Sequence, residues 1–145
     1  MTEDELWILI EDARRDGGGV LGRQVQLLRE FFLKSSSTEV LPAFRDRWED
    51  VEDRLFSWPV WDAACVLLGF VSDDFFGDVR AWIISHGRAA VDRIAADPDA
   101  LVELAHDVDS VNAGEELGVL VWEMWERLMG DCGGESRSTG VGVGR

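Results

Sequence analysis

The residues best suited to chemistry lie in one segment, Ser72 to Arg88, which reads SDDFFGDVRAWIISHGR. Asp73 and Asp74 come near its start, Arg80 lies among apolar neighbours, and Arg88 closes it. Carboxylates and guanidinium groups brought together can hold a small polar substrate, and perturbed charges of this kind often mark functional sites. We therefore take these four residues as candidate ligand-binding residues.

The same segment also has a structural interpretation. Ser72 can cap the N-terminus of a helix, and a carboxylate at Asp73 suits the positive end of the helix dipole. Seven residues make nearly two helical turns, so Asp73 and Arg80 share a face. The apolar neighbours of Arg80 predict a part-buried stem, and a buried charge needs a partner. The alternative to a ligand site is therefore a helix cap plus a salt bridge from Arg80 to Asp73 or another acid.

Several helices must position this segment. Apolar spacing and helix-end residues predict a first helix from the Thr2/Glu5 capping box to about Arg15, then helices over 20–33, about 38–55, 57–68, 72–86, 88–95, a short one from Asp97, and a last one over 115–129. The helix over 57–68 is apolar almost all round, which predicts a central position. Residues 106–114 are expected to form a loop.

The composition predicts one all-α domain, a compact bundle of about six to eight short helices. The chain has 145 residues, 46% of them hydrophobic, with seven Trp and seven Phe. A chain of this length can bury a real core without staples, and no segment alternates as a strand would. We expect the helical domain to cover residues 1–129. Residues 130–145, rich in Gly and Ser, are expected to form a flexible tail.

The charge distribution restricts the partners. The net charge is −15, and residues 89–135 carry twelve acids against two arginines. This charge disfavours nucleic acids and anionic membranes, whose binding depends on cationic contacts. It favours a basic protein partner, with Glu115, Glu116, Asp107 and Asp109 as the candidate partner surface. The alternative is that these acids only solvate the surface.

Motifs of known enzymes and metal sites are not found in the sequence, so we predict no catalytic residue, no metal and no cofactor. His86 is expected to contact carbonyl groups at the end of its helix. Asp107 and Asp109 resemble half of a calcium loop but lack its glycine and glutamate. Trp58 and Trp61, three residues apart, are expected to belong to the core. An acidic start and the lack of a long apolar run predict a cytoplasmic location.

The chain also resembles a known family. The residues Ser72-Asp73-Asp74, Phe75, Arg80 to Ser85, Gly87-Arg88 and Asp97-Pro98-Asp99 are similar to the pattern of the bacterial domain-of-unknown-function family 4240, as are Glu3 to Ile10 and Trp58 to Ala64. Val79 departs from the pattern, where an aromatic residue is expected. The resemblance implies a compact helical fold in bacteria and implies no activity.

Two classes of function stay open. The first is a protein-interaction or regulatory module that binds a basic partner through an acidic surface. The second is an enzyme or small-ligand-binding protein that uses the four candidate residues of the first segment. A deep pocket enclosing these side chains would favour the enzyme, whereas a flat acidic surface would favour the module.

Overall fold

The computed structural model describes residues 1–35 and 37–132, with side chains as far as residue 127. This part of the chain contains helices and no strand, which confirms the predicted all-α class. The α-helices are α1 (Glu3–Asp16), α2 (Leu21–Lys34), α3 (Val40–Leu55), α4 (Trp58–Leu68), α5 (Asp73–Ser85), α6 (Arg88–Ala96) and α7 (Gly114–Cys132), and a 3₁₀ segment (Pro98–Ala113) joins α6 to α7.

Three helices begin where their capping residues predict. Thr2 and Glu5 form a complete capping box at α1. Ser57 and Ser72 each accept a hydrogen bond from the third residue after them, at the starts of α4 and α5. Each cap satisfies a backbone N–H that would otherwise have no partner.

Helix α5 is the centre of the fold. It packs against α1, α3, α4, α6, α7 and the 3₁₀ segment, and its last residue accepts a hydrogen bond from α2. Four consecutive residues, Ala81 to Ile84, are completely buried. A helix covered on all sides in this way needs apolar residues around its whole circumference.

Helix α4 lies at the edge of the molecule, so the predicted central position is wrong. It packs mainly against the 3₁₀ segment and α5, and only Val60 and Ala64 are fully buried. The sequence indicates correctly that α4 is apolar around most of its surface. It does not distinguish a helix covered by its own chain from one that is left uncovered.

The second half of the chain is more regular than predicted. Residues 106–113, expected to be a loop, continue the 3₁₀ segment, with one non-helical residue at Asp107. Helix α7 continues to Cys132, three residues beyond its expected end. The rest of the predicted tail lies outside the described residues.

A buried glutamine joins three helices. Gln24 of α2 is completely buried, and its side-chain nitrogen donates to the carbonyls of Ile10 in α1 and Ser85 in α5, at 3.0 and 3.1 Å. The carbonyl of Ser85 lies at the C-terminus of α5, where main-chain acceptors lack a helical partner, whereas that of Ile10 lies within α1. These hydrogen bonds hold the C-terminal end of α5 against α2 and α1.

Candidate functional site

The four candidate ligand-binding residues do not come together. Asp73 and Asp74 are exposed at the first turn of α5, and Arg88 begins α6, beyond the other end of α5. Thirteen residues of α5 separate these ends, which corresponds to about 20 Å. The four residues therefore form neither one ligand site nor one salt-bridge network.

Arg88 attaches α6 to α1. Its Nη1 lies 2.6 Å from a carboxylate oxygen of Asp4, and its Nε lies 3.8 Å from Asp92. Its backbone N–H donates to Glu11 at 2.8 Å. A carboxylate at the first turn of a helix is favoured by the helix dipole, so Glu11 already occupies the place where an anionic ligand would bind.

Arg80 lies against two neighbouring aromatic rings. Its guanidinium carbon is 4.8 Å from the centre of the Phe56 ring and 5.0 Å from that of Phe76, within the range of cation–π attraction. Its Nη1 donates to the main-chain carbonyl of Glu52 at 3.4 Å. The predicted part-burial is confirmed. Of the predicted partners, Asp73 or another acid, Asp73 is not the one, because Arg80 turns towards the end of α3.

The charge of Arg80 acts on the pKa of the Glu52 carboxyl group. Burial raises the pKa of Glu52, and the Arg80 charge opposes part of that rise. Among residues 1–35 and 37–127, no ion pair to Arg80 is formed. Arg80 thus offsets a half-buried negative charge without contacting it, which is a structural role.

A group of carboxylates lies where α5 packs against α7. Asp78 is half-buried, and its pKa is raised by burial and then by the charges of Glu115 and Asp74. We call Asp74, Asp78 and Glu115 the carboxylate triplet. It joins a residue of the first segment to one of the predicted partner surface. Asp78 was missed in the sequence, although its spacing of four from Asp74 places both on one side of α5.

The other predicted partner-surface residues divide into two kinds. Glu116 and Asp109 are exposed, as expected. Asp107 is instead held inside a brace: its carboxylate lies 2.9 Å from Nε2 of His86 and accepts a hydrogen bond from Ser110 at 2.8 Å. It is therefore not a free surface acid, and no group of three potential metal ligands occurs within the described residues.

His86 is fully engaged in this brace. Its Nδ1 lies 2.8 Å from the carbonyl of Trp82, and its Nε2 faces Asp107, so both ring nitrogens meet acceptors. Burial and the nearby Arg14 charge lower the pKa of His86, while the two acceptors oppose that shift. With both nitrogens occupied, neither is free to act as a general base on a substrate. The expected contact of His86 with a carbonyl is confirmed.

Helix α4 presents large apolar side chains to solvent. Trp58 is 71% exposed and Val66 88% exposed, and Asp62, also exposed, lies midway between them. Steps of four residues place all three on one side of the helix, and we call them the α4 stripe. Phe70, just after the helix, is 87% exposed. Single exposed apolar residues are ordinary, but several together mark an interaction surface.

The α4 stripe begins on a stack of aromatic rings. The rings of Trp58 and Trp61 are 5.3 Å apart and nearly parallel, and Trp61 stacks on Phe76 at 4.7 Å. The Trp61 indole N–H donates to the carbonyl of Val71 at 2.9 Å. The expectation of a core pair holds in part for Trp61, which is half-buried, and is wrong for Trp58, whose ring is the outermost of the stack.

Two hollows flank the α4 stripe. The first, about 270 Å³, is lined by Phe56, Ser57, Trp58 and Trp61. The second, about 260 Å³, is lined by Ala63, Val66, Leu67, Asp99, Leu101 and Val102. Larger hollows of about 460 and 550 Å³ lie near the two ends of α1, and neither is lined by any of the four candidate ligand-binding residues.

Comparison with known proteins gives one match. The model of a family described as "Protein of unknown function (DUF4240)" matches residues 1–127. No curated protein and no solved structure matches the chain. Among the described residues, no helix is both long and apolar enough to cross a membrane.

Proposed function

The chain belongs to the DUF4240 family, and from that premise we propose that it is a protein-interaction module that binds a basic protein partner through α4. The observation that carries the proposal is the exposure of an almost uncharged helix. Asp62 is the one charged residue among the eleven of α4, yet Trp58 and Val66 of this helix are largely exposed.

Uncovered apolar surface is costly in water. Each square ångström of apolar area removed from water contributes about 25 cal/mol, and the exposed side chains of Trp58, Val66 and Phe70 offer such area on α4 and just after it. A partner that covers them gains this contribution. Large exposed aromatic side chains are also enriched among the residues that dominate binding energy in protein interfaces.

The charges around α4 favour a basic partner. Between Phe56 and Val79 the sequence carries four carboxylates and no lysine or arginine. The carboxylate triplet extends this negative region from α5 to α7. Opposite charges across an interface speed association and exclude wrong partners, and nucleic acids or anionic membranes would meet repulsion here.

The alternative of an enzyme built on the four candidate ligand-binding residues gains no support from their placement. Their charged groups lie at opposite ends of α5 or against aromatic rings, and His86 has no free ring nitrogen.

We further propose a bacterial, cytoplasmic protein. Fractionation of the cells that make it, followed by immunoblotting, tests that location.

The test of the interaction proposal is affinity capture with quantitative mass spectrometry. The immobilised protein, exposed to an extract of the cells that make it, should retain a basic protein. The variant Val66→Ser/Phe70→Ser should lose it, and 1 M salt should weaken its retention, because screening shortens the Debye length to about 3 Å. The control Ile8→Ser/Leu33→Ser removes exposed apolar groups elsewhere and should retain the partner. Equal retention by both variants would refute the proposal.

A further inference from the structure

We infer that the hollow at the C-terminal end of α1 binds a free α-amino acid. This hollow has a volume of about 550 Å³, within the range of about 300–1,000 Å³ that is usual for small-molecule sites. It is lined by residues of α1, of the turn after it and of the α5–α6 junction, among them Glu11, Arg14, Arg15, Gly18, Gly19 and His86. No residue of α4 lines it, so the inference goes beyond the proposed function and does not depend on it.

Glu11 and Arg14 bring two opposite charges to this hollow. They are three residues apart on α1, so their Cβ atoms lie about 5–6 Å from each other, a spacing at which ion pairs commonly form. Within the described part of the chain, however, neither residue forms an ion pair. Arg15 differs from them, because it pairs with Asp12 and Asp16 at 3.0 and 3.4 Å. The hollow therefore offers a ligand one carboxylate and one guanidinium group.

Contacts with α6 hold the carboxylate away from the guanidinium. Oε2 of Glu11 accepts a hydrogen bond from the backbone N–H of Arg88 at 2.8 Å, and Gly87 permits this approach, because a Cβ atom there would lie 3.0 Å from the same oxygen. Nη1 of Arg14 is buried and has no hydrogen-bond partner in the described chain, and a buried donor without a partner costs free energy. Because the guanidinium charge is delocalised, a carboxylate bound along its edge compensates it.

An α-amino acid carries the matching pair of charges on one carbon atom. Its carboxylate can accept from Arg14 while its ammonium group donates to Glu11, and hydrogen bonds between charged groups are stronger than neutral ones. A simple anion would be repelled by Glu11 and a simple cation by Arg14, so each would lose part of what it gains. A Cβ atom at Gly18 or Gly19 would have no neighbour within 4 Å, so that side of the hollow has room for the side chain of the ligand.

The experiment titrates the full chain with L-alanine and with its two half-molecules. Propionate keeps the carboxylate without the ammonium group, and ethylamine keeps the ammonium group without the carboxylate. The chain has two histidines. His86 lines the hollow, whereas His106 is exposed outside it, so the NMR signals of the two imidazole rings report the site and a control in one spectrum. We expect L-alanine to shift the His86 signals saturably, with a Kd in the millimolar range because the ligand is small.

Two protein variants assign each half of the ligand to a residue. Propionate and ethylamine should bind the wild-type protein about fivefold more weakly than L-alanine, or worse, since each lacks one ion pair. Glu11→Gln should weaken L-alanine to a similar extent and improve propionate, and Arg14→Gln should weaken L-alanine and improve ethylamine. The controls Glu30→Gln on α2 and Arg47→Gln on α3 remove the same charges away from the hollow and should leave L-alanine within about twofold.

Three results would overturn the amino-acid site. These are the absence of a saturable His86 shift with L-alanine, equal shifts of His86 and His106, and binding of either half-molecule as tight as that of L-alanine. If Arg14→Gln does not fold, the comparison of the three ligands on the wild-type protein still decides. The proposed function is tested separately, because capture of the partner by Val66→Ser/Phe70→Ser involves none of the residues of this hollow.

Discussion

Replacement of Arg80 by Met separates a structural arginine from a ligand-binding one. Met keeps much of the apolar stem and removes the guanidinium that lies 4.8 and 5.0 Å from the rings of Phe56 and Phe76. Each cation–π contact contributes about 0.5–1 kcal/mol when exposed and about 2 kcal/mol when desolvated. Since Arg80 is half-buried, we expect Arg80→Met to lower the free energy of unfolding by about 1–3 kcal/mol.

The loss should be coupled to Glu52. Burial raises the pKa of this carboxyl above its ordinary value of 4.5, so its contribution to stability is present below that value and is lost as the pH rises through the raised pKa. At neutral pH, Glu52→Gln should therefore stabilise the protein. It should also make Arg80→Met less damaging, because the arginine no longer has a charge to offset.

Urea titrations of the four proteins in this double-mutant cycle measure the coupling directly. Asp73→Asn serves as the control, because Asp73 is the one partner that the sequence names and the structure leaves it exposed. Its effect should add to that of Arg80→Met within about 0.5 kcal/mol. Coupling to Asp73 rather than to Glu52, or wild-type stability of Arg80→Met, would refute this placement of Arg80.

Three further predictions concern the helices that support the candidate surface. Gly114→Ala places a methyl group against the carbonyl oxygen of Asp78 and 3.1 Å from its carbonyl carbon. Helix α7 must then move away from α5, at a cost of about 1–3 kcal/mol and a fall in melting temperature of about 4–12 °C. Gly118→Ala, whose methyl has its nearest neighbour at 3.8 Å, should change the melting temperature little. Asp78→Asn should raise the melting temperature at pH 7 but not at pH 3, because burial and neighbouring carboxylates raise the pKa of Asp78 and the stability linked to it is lost as the pH rises. The Arg54 hydrogen bond lowers the pKa of Glu3 to about 2. The contribution of Glu3 to stability is therefore complete above pH 4.5 and is lost as the pH falls towards 2. Glu3→Gln should reduce the acid sensitivity of the melting temperature between those pH values.

Local chemistry made much of the fold predictable. The caps at Thr2, Ser57 and Ser72 act within one helical turn, so the residues that make them are visible in the sequence. The glycine at position 87 also predicted the break between α5 and α6. Its φ of 104° suits glycine and few other residues. Such signals depend on neighbours along the chain and do not require knowledge of the packing.

The roles of α4 and Arg80 could not be predicted in this way. An apolar helix gives the same sequence pattern whether its own chain or a partner covers it, so α4 was expected at the centre. The shared face of Asp73 and Arg80 made them suitable partners, but the guanidinium of Arg80 lies against the rings of Phe56 and Phe76. Phe56 lies 24 residues before Arg80, and no local spacing indicates that contact.

Site-specific photo-crosslinking in living cells tests the central claim most directly. A photoreactive phenylalanine analogue at position 66 lies within the α4 stripe, and the same group at position 8 replaces another exposed apolar residue, Ile8, on α1. The account predicts a discrete crosslink to a basic protein from position 66, none from position 8, and loss of the position-66 crosslink with Asp62→Arg. Crosslinks of equal strength from both positions, or a position-66 crosslink that Asp62→Arg leaves unchanged, would contradict it.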